Sequence, residues 1–272
     1  MIVPDGVSRR TVLAATAAGA AAPLVASGAA EARVKAEPET FQLTVLGTSD
    51  THGNVYNWDY YRDAEYDDAA HNDVGVAKVA TLVNKIRAEK GLTTLVIDAG
   101  DTIQGTPLAT YYAKQEPITE TGETHPMARA MNVLHYDAVT LGNHEFNYGL
   151  PLLNLWIRQL GFPALAANAV DLKTNRPAFK PYVIKDLCVG GHTLRVGILG
   201  LTNPGIAIWD KANVEGKLRF DDMVTTAAAW VPEIRKRGAD LVIVDNLCSL
   251  PLNPEAVYRA IRAKAGKPLE NE

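Results

Sequence analysis

Between Phe41 and Asn246 the chain alternates two kinds of segment, and this alternation narrows its fold more than any other feature. Short apolar runs read as strands: "FQLTVLGT" (41–48), "TTLVIDAG" (93–100), "YDAVTLG" (136–142), "FPALAANAV" (162–170) and "ADLVIVDN" (239–246). Between them, "VGVAKVATLVNKIRAEKG" (74–91), "HPMARAMNVLH" (125–135), "LPLLNLWIRQLG" (150–161) and "DDMVTTAAAWVPEIRKRG" (221–238) place apolar residues three or four apart, the spacing of helices. "PYVIKDLCVGGHTLRVGILGLT" (181–202) predicts a hairpin turning at Gly190-Gly191, and "NPEAVYRAIRAKAG" (253–266) a last helix capped by Asn253. Residues 49–73 are a long polar, aromatic loop. The fold class expected is α/β, with a largely parallel central sheet and helices on both faces.

In such sheets ligands bind beyond the carboxyl ends of the strands, so the residues there carry the functional information. After the first strand comes "SDTHGN", which offers Asp50 and His52 in one tight turn. After the second comes "AGDTIQG", with Asp101 next to a glycine that lets backbone approach a ligand. After the third comes "GNHEF", with Asn143, His144 and Glu145. Any one of these is an ordinary turn. Three in succession deliver oxygen and nitrogen ligands to one sheet edge.

The residue types fit a two-metal phosphoryl-transfer site. Two divalent ions about 3.5–4 Å apart clamp phosphoryl oxygens and activate water. A bridging carboxylate neutralises both ions, and Asp101 is the candidate. Asn143 supplies a neutral carbonyl oxygen. Imidazole nitrogen favours Mn, Fe or Zn over Mg or Ca. A histidine off the metals can protonate a leaving oxygen, and His144 suits that role.

The blocks "SDTHGN", "GDTIQG" and "GNHEFNYG" resemble those of the calcineurin-like metallophosphoesterases, over about residues 41–245. More narrowly they are similar to the exported 5'-nucleotidase and 2',3'-cyclic-nucleotide phosphodiesterase/3'-nucleotidase branch. Asn147 stands where many 5'-nucleotidases have Asp, which points to the cyclic-nucleotide type. The resemblance implies a metallophosphoesterase-like β-sandwich flanked by helices, over residues 37–250. It implies that Asp50 and His52 hold a first metal, Asp101 bridges, and Asn143 holds a second. It implies that Asn143 and His144 contact a nucleotide or other phosphoester substrate, with His144 catalytic. Glu145 is expected to support its loop.

The resemblance also implies three later histidines, one in a block like "HSG" and two in a block like "GHxH". The six histidines here are His52, His71, His125, His135, His144 and His192, and none follows 192. Where "HSG" belongs the chain reads "DNLCSLPLNP". The expectation is a domain incomplete at its C-terminus, with a divergent tail over 251–272, a weak second metal and little hydrolysis by this chain alone. Asp245, Asn246 and Cys248 lie near the vacant position; an ordinary strand-end loop is the favoured reading of them. A sheet short of its later strands has an exposed edge that favours aggregation or a covering partner.

Residues 1–36 read as a targeting segment rather than domain material. Arg9-Arg10 precede an Ala-rich apolar stretch and a small-residue cleavage pattern, which suggests twin-arginine export and a destination in the periplasm, cell wall or outside the cell. No apolar run reaches the roughly 18–20 residues needed to span a bilayer. A net charge of -4 with no basic block argues against a nucleic-acid polymer as partner. The two cysteines, Cys188 and Cys248, exclude a disulfide framework. His71 and His125 are expected in solvated loops, His135 in a structural place at a helix end, and His192 exposed in the hairpin turn.

Overall fold

The computed structural model describes residues 42–247 and, beyond them, Ala256, Arg259, Ala260, Arg262 and Ala263, which are helical. The targeting segment, the Asn253 cap and Cys248 lie outside the described residues.

The chain opens with β1 (Thr44–Thr48), a small hairpin of β2 (Trp58–Asp59) and β3 (Ala64–Glu65), and α1 (Val76–Lys90), closed by Gly91 at φ 64°. Next come β4 (Thr94–Asp98), α2 (Pro107–Thr110), α3 (Ile118–Thr121), α4 (Pro126–Val133) and β5 (Ala138–Thr140). Then follow α5 (Gly149–Gln159), β6 (Ala164–Leu165), β7 (Ala169–Asp171) and β8 (Arg176–Pro177). The hairpin is β9 (Tyr182–Val189) and β10 (His192–Leu201), turning at Gly190 and Gly191. Both turn residues have positive φ, 57° and 81°, as a two-residue type I′ turn requires. The short helices α6 (Ile206–Trp209) and α7 (Lys211–Val214), β11 (Leu218–Phe220), α8 (Met223–Lys236) and β12 (Leu241–Asn246) complete it.

Two sheets stack face to face. The first has the order β1-β4-β5-β6, all parallel; the second has β12-β10-β9, with β12 parallel and β9 antiparallel to β10. Period-two alternation sorts the side chains. On β4, Leu95 and Ile97 face the second sheet, meeting Val196 and Ile198 of β10. Val96 faces the other way, into a core built with Val83, Met127, Met131, Leu153 and Trp156 of the helices. On β10, Leu199 and Leu201 pack against Ala227 and Ile234 of α8. The result is four layers, helix–sheet–sheet–helix. The central strands β4 and β5 are covered on both faces, which is why they are continuous runs of buried residues, whereas β1 alternates with exposed positions. Gly200 lets β10 approach β6 closely: a Cβ there would lie 2.3 Å from Leu165 Cβ.

The α/β two-sheet architecture agrees with the sandwich that the resemblance implies, whereas the single central sheet read from the strand pattern is two stacked sheets with helices outside them. One segment departs further. "FPALAANAV" is not a single strand. It leaves the first sheet after Leu165 and re-enters a separate three-stranded sheet as β7, beside β8 and β11. Buried Asn168 holds the crossing: its amide donates to the carbonyls of Thr202 and Asp221 and accepts from the Thr202 N–H. Among the described residues β12 pairs only with β10 and forms one edge of its sheet.

Candidate metal centre

The parallel order of β1, β4 and β5 brings three loops to one edge. Backbone bonds continue past the strand ends: Asp50 N–H donates to the Gly100 carbonyl, His52 N–H to Asp101, and Gly53 N–H to Thr102. Asp50, His52 and Asp101 all have positive φ, 52°, 46° and 59°. A left-handed backbone at non-glycine residues is strained, and it clusters where side chains must be aimed. Here the turn out of each strand points the side chain back over the sheet edge. Gly142 allows the third loop to close in, since a Cβ on it would lie 2.3 Å from Asp101 Oδ1.

Glu145 ties the loops together from below. It is fully buried and accepts from the N–H groups of Asp101, Thr102, Ile103 and Gly142. Burial, reinforced by the neighbouring Asp101 charge, pushes its carboxyl up to about 7. Glu145 therefore supports the loop, as its sequence position suggests.

Above it, one ligand atom each from His52, Asp101 and His144 lies within 4.8 Å of the others. The imidazole rings meet edge to face with centroids 5.1 Å apart. His144 Nε2 is 4.0 Å from Asp101 Oδ2, and His52 Nε2 is 3.7 Å from Asp50 Oδ1. Asp101 is 4% exposed. Burial raises its pKa, opposed by the His144 N–H bond to Oδ1 and by both imidazoles. Asn143, half-buried, connects Gly142 to His144 and accepts the Phe146 N–H at its carbonyl. Asp50 is the most open of the set, with 51% of its side chain exposed.

The tautomers follow from the partners. His52 Nδ1 lies 2.7 Å from the Gln104 carbonyl oxygen, which only accepts, so Nδ1 carries the proton and Nε2 presents a lone pair. His144 Nδ1 lies 2.7 Å from Asn147 Oδ1. Its Nε2 likewise faces Asp101. Two imidazole nitrogens beside a buried carboxylate suit a borderline divalent ion such as Zn or Mn, so these residues fit a resident metal.

His144 Nε2 thus shares the space of the expected ligands His52 and Asp101, and Asp50 lies outside the 4.8 Å group. Asp245 does not fill the gap left by a missing histidine: it is buried beneath the site and accepts from Thr140 Oγ1 at 2.7 Å. The side chain arriving at the centre from β12 is Leu247, whose Cδ2 lies 2.9 Å from where a Gly142 Cβ would be. His125 is a second departure. It is fully buried, its Nδ1 accepts the Met127 N–H to cap α4, and desolvation lowers its pKa to about 4. His71 and His192 are exposed, as expected, and His135 is exposed just beyond the C-terminal end of α4.

Four covered layers with carboxylate and imidazole groups at parallel strand ends define a class. Residues 43–267 match the family model of the calcineurin-like phosphoesterases, and the chain belongs to that family. Within it, the chain is 41% identical over 225 residues to a 2',3'-cyclic-nucleotide 2'-phosphodiesterase/3'-nucleotidase from Yersinia enterocolitica, covering 81% of this chain and 33% of the relative. It is 29% identical over 209 residues to a 5'-nucleotidase of Vibrio cholerae, covering 75% of this chain and 33% of that protein. Among solved structures, the calcineurin-like phosphoesterase YfkN from Bacillus subtilis superposes with a TM-score of 0.69 at 38% identity, covering 77% of this chain and 63% of that one. The chain spans about a third of the length of the curated relatives it matches.

Proposed function

We propose that this chain forms the metal-binding core of an exported phosphoesterase acting on nucleotides, of the 2',3'-cyclic-nucleotide phosphodiesterase/3'-nucleotidase or 5'-nucleotidase kind. The observation that carries the reading is the meeting of His52, Asp101 and His144, from three strand ends, within 4.8 Å. Asp50 and His52 would hold one divalent ion, the Asp101 carboxylate would serve both ions, and Asn143 would offer a neutral oxygen to a second. When bound, such ions polarise the phosphoryl group and acidify water. His144 supplies what the ions do not. With both ring nitrogens protonated, it can hydrogen-bond a phosphoester oxygen from Nε2 and pass that proton to the leaving oxygen as the P–O bond breaks, returning to the Nδ1–H form. The left-handed backbone and Glu145 keep these groups in place without substrate. The segment 1–36 supports export, and no helix among the described residues is long and apolar enough to cross a membrane.

A second reading, a metal- or phosphate-binding module without turnover, draws on Leu247. An apolar side chain stands at the sheet edge where a further ligand would complete the centre. The edge strand β12 supports an additional covering partner under either reading.

Metal analysis of the purified chain with bis-p-nitrophenyl phosphate hydrolysis in added Mn separates the two. About two metals per chain, and turnover abolished by His144→Ala, would establish the enzyme. No turnover with one loosely held metal or none would leave the binding module.

A further inference from the structure

Behind His144 lies a short line of side chains that metal binding and proton transfer leave unexplained. His144 Nδ1 meets Asn147 Oδ1 at 2.7 Å, and Asn147 Nδ2 donates to Asp210 Oδ1 at 2.9 Å. Asp210 is 6% exposed, and its Oδ2 is buried without a hydrogen-bond partner. Asn213 steadies the same turn, donating to the carbonyls of Phe146 at 2.9 Å and Asn147 at 3.1 Å.

A side-chain amide is ambiguous toward a histidine. Rotated by half a turn, it offers two N–H donors in place of an oxygen. Asp210 Oδ1 accepts from Asn147 Nδ2, which keeps the NH₂ end of the amide away from the ring and turns Oδ1 to it. That oxygen only accepts, so His144 Nδ1 must carry hydrogen. Nε2, the nitrogen facing Asp101, is left with the lone pair. Without Asp210 the amide is free to flip and present N–H to Nδ1, which places the ring proton on Nε2 instead. A wrong histidine tautomer is costly even when geometry survives.

We propose that Asp210 is a positioning residue, acting through Asn147 to hold His144 as its Nδ1–H tautomer. A carboxylate at 147 would accept from Nδ1 with no second residue; an amide there needs one, and α6 ends on it. The catalytic significance rests on the phosphoesterase reading, in which Nε2 serves the leaving oxygen. The tautomer itself does not.

The test is the ring-nitrogen spectrum of ¹⁵N-histidine-labelled, metal-free full chain, above the ordinary imidazole pKa, with His144→Gln to assign the signals. The wild type should show a protonated Nδ1 and a bare Nε2. Asp210→Ala, or Asp210→Leu where the smaller side chain unfolds the protein, should raise the Nε2–H population about tenfold, the scale of losing one buried hydrogen bond. The exchanged pair Asn147→Asp with Asp210→Asn should restore the Nδ1–H form, which a merely space-filling role would not do. If turnover is present, kcat should fall about 10- to 100-fold in the single variants with KM little changed. An unaltered tautomer in the folded single variants would overturn the positioning role. Absence of hydrolysis by the wild type would overturn the phosphoesterase reading and leave the spectra standing.

Discussion

At the scale of the residue, Glu145 shows how a buried acid can be structural. Its two oxygens accept from the backbone of two loops at once, Asp101 to Ile103 on one side and Gly142 on the other. Glu145→Ala would leave these buried N–H groups unpaired, at roughly 1–3 kcal/mol for each that finds no water. A loss of about 3 kcal/mol or more is expected, lowering Tm by roughly 6–12 °C in a chain of this size. Thermal unfolding of the metal-free variant checks it, and a shift under a degree would refute the bracing role. Residues such as Asp50, His52, Asp101 and His144 are legible in the sequence because each directly follows a strand. The Asn147–Asp210 bond is not, because 63 positions separate its ends. His125 misleads for the opposite reason. Its polar neighbours suggest a solvated loop, but it caps α4 with Pro126 at the first helical position, and the helix carries it into the core.

At the scale of the element, β12 decides how complete the centre is. Its parallel pairing with β10 brings Leu247 to the edge where β5 ends. An imidazole there would point at the same space as His144 and Asp101. Leu247→His is expected to tighten Mn binding by about 10- to 100-fold, the scale on which ligand-sphere changes act. Isothermal titration of wild type and variant measures it. Equal affinities would mean that β12 does not reach the metal space. The strands and long helices are legible because the strands are short apolar runs and the helices place apolar residues three or four apart. The break between β6 and β7 is not, because "ALAANAV" is apolar apart from Asn168 and carries no glycine or proline to mark a turn. Only the bonds of Asn168 to Thr202 and Asp221 reveal that the chain changes sheets there.

At the scale of the molecule, stacking two sheets buries acids that the chain presents as ordinary strand residues. Asp98 ends β4 and Asp245 lies within β12; both are buried, and desolvation pushes each up to about 7. A carboxyl whose folded pKa lies above its unfolded value favours folding when protonated. Its contribution is full below the unfolded value near 4 and is lost as pH rises through about 7. Metal-free protein should therefore lose stability between about pH 4 and 7, by at most roughly 1.4 kcal/mol per pH unit for each group. Asp98→Asn should flatten that slope in denaturant titrations across the window. An unchanged slope would mean that Asp98 stays ionised in the fold.

The amino-acid order alone determines the alternation of strands and helices, the position of each polar cluster just after a strand, and the family that these clusters mark. Those are local properties, written in periods and in adjacent letters. Tertiary structure decides which clusters meet, that Glu145 braces rather than reacts, that Leu247 reaches the centre, and that Asp210 stands behind His144. Each of these depends on groups far apart in the chain becoming neighbours through sheet order and layer packing, and no local pattern encodes the distance between them.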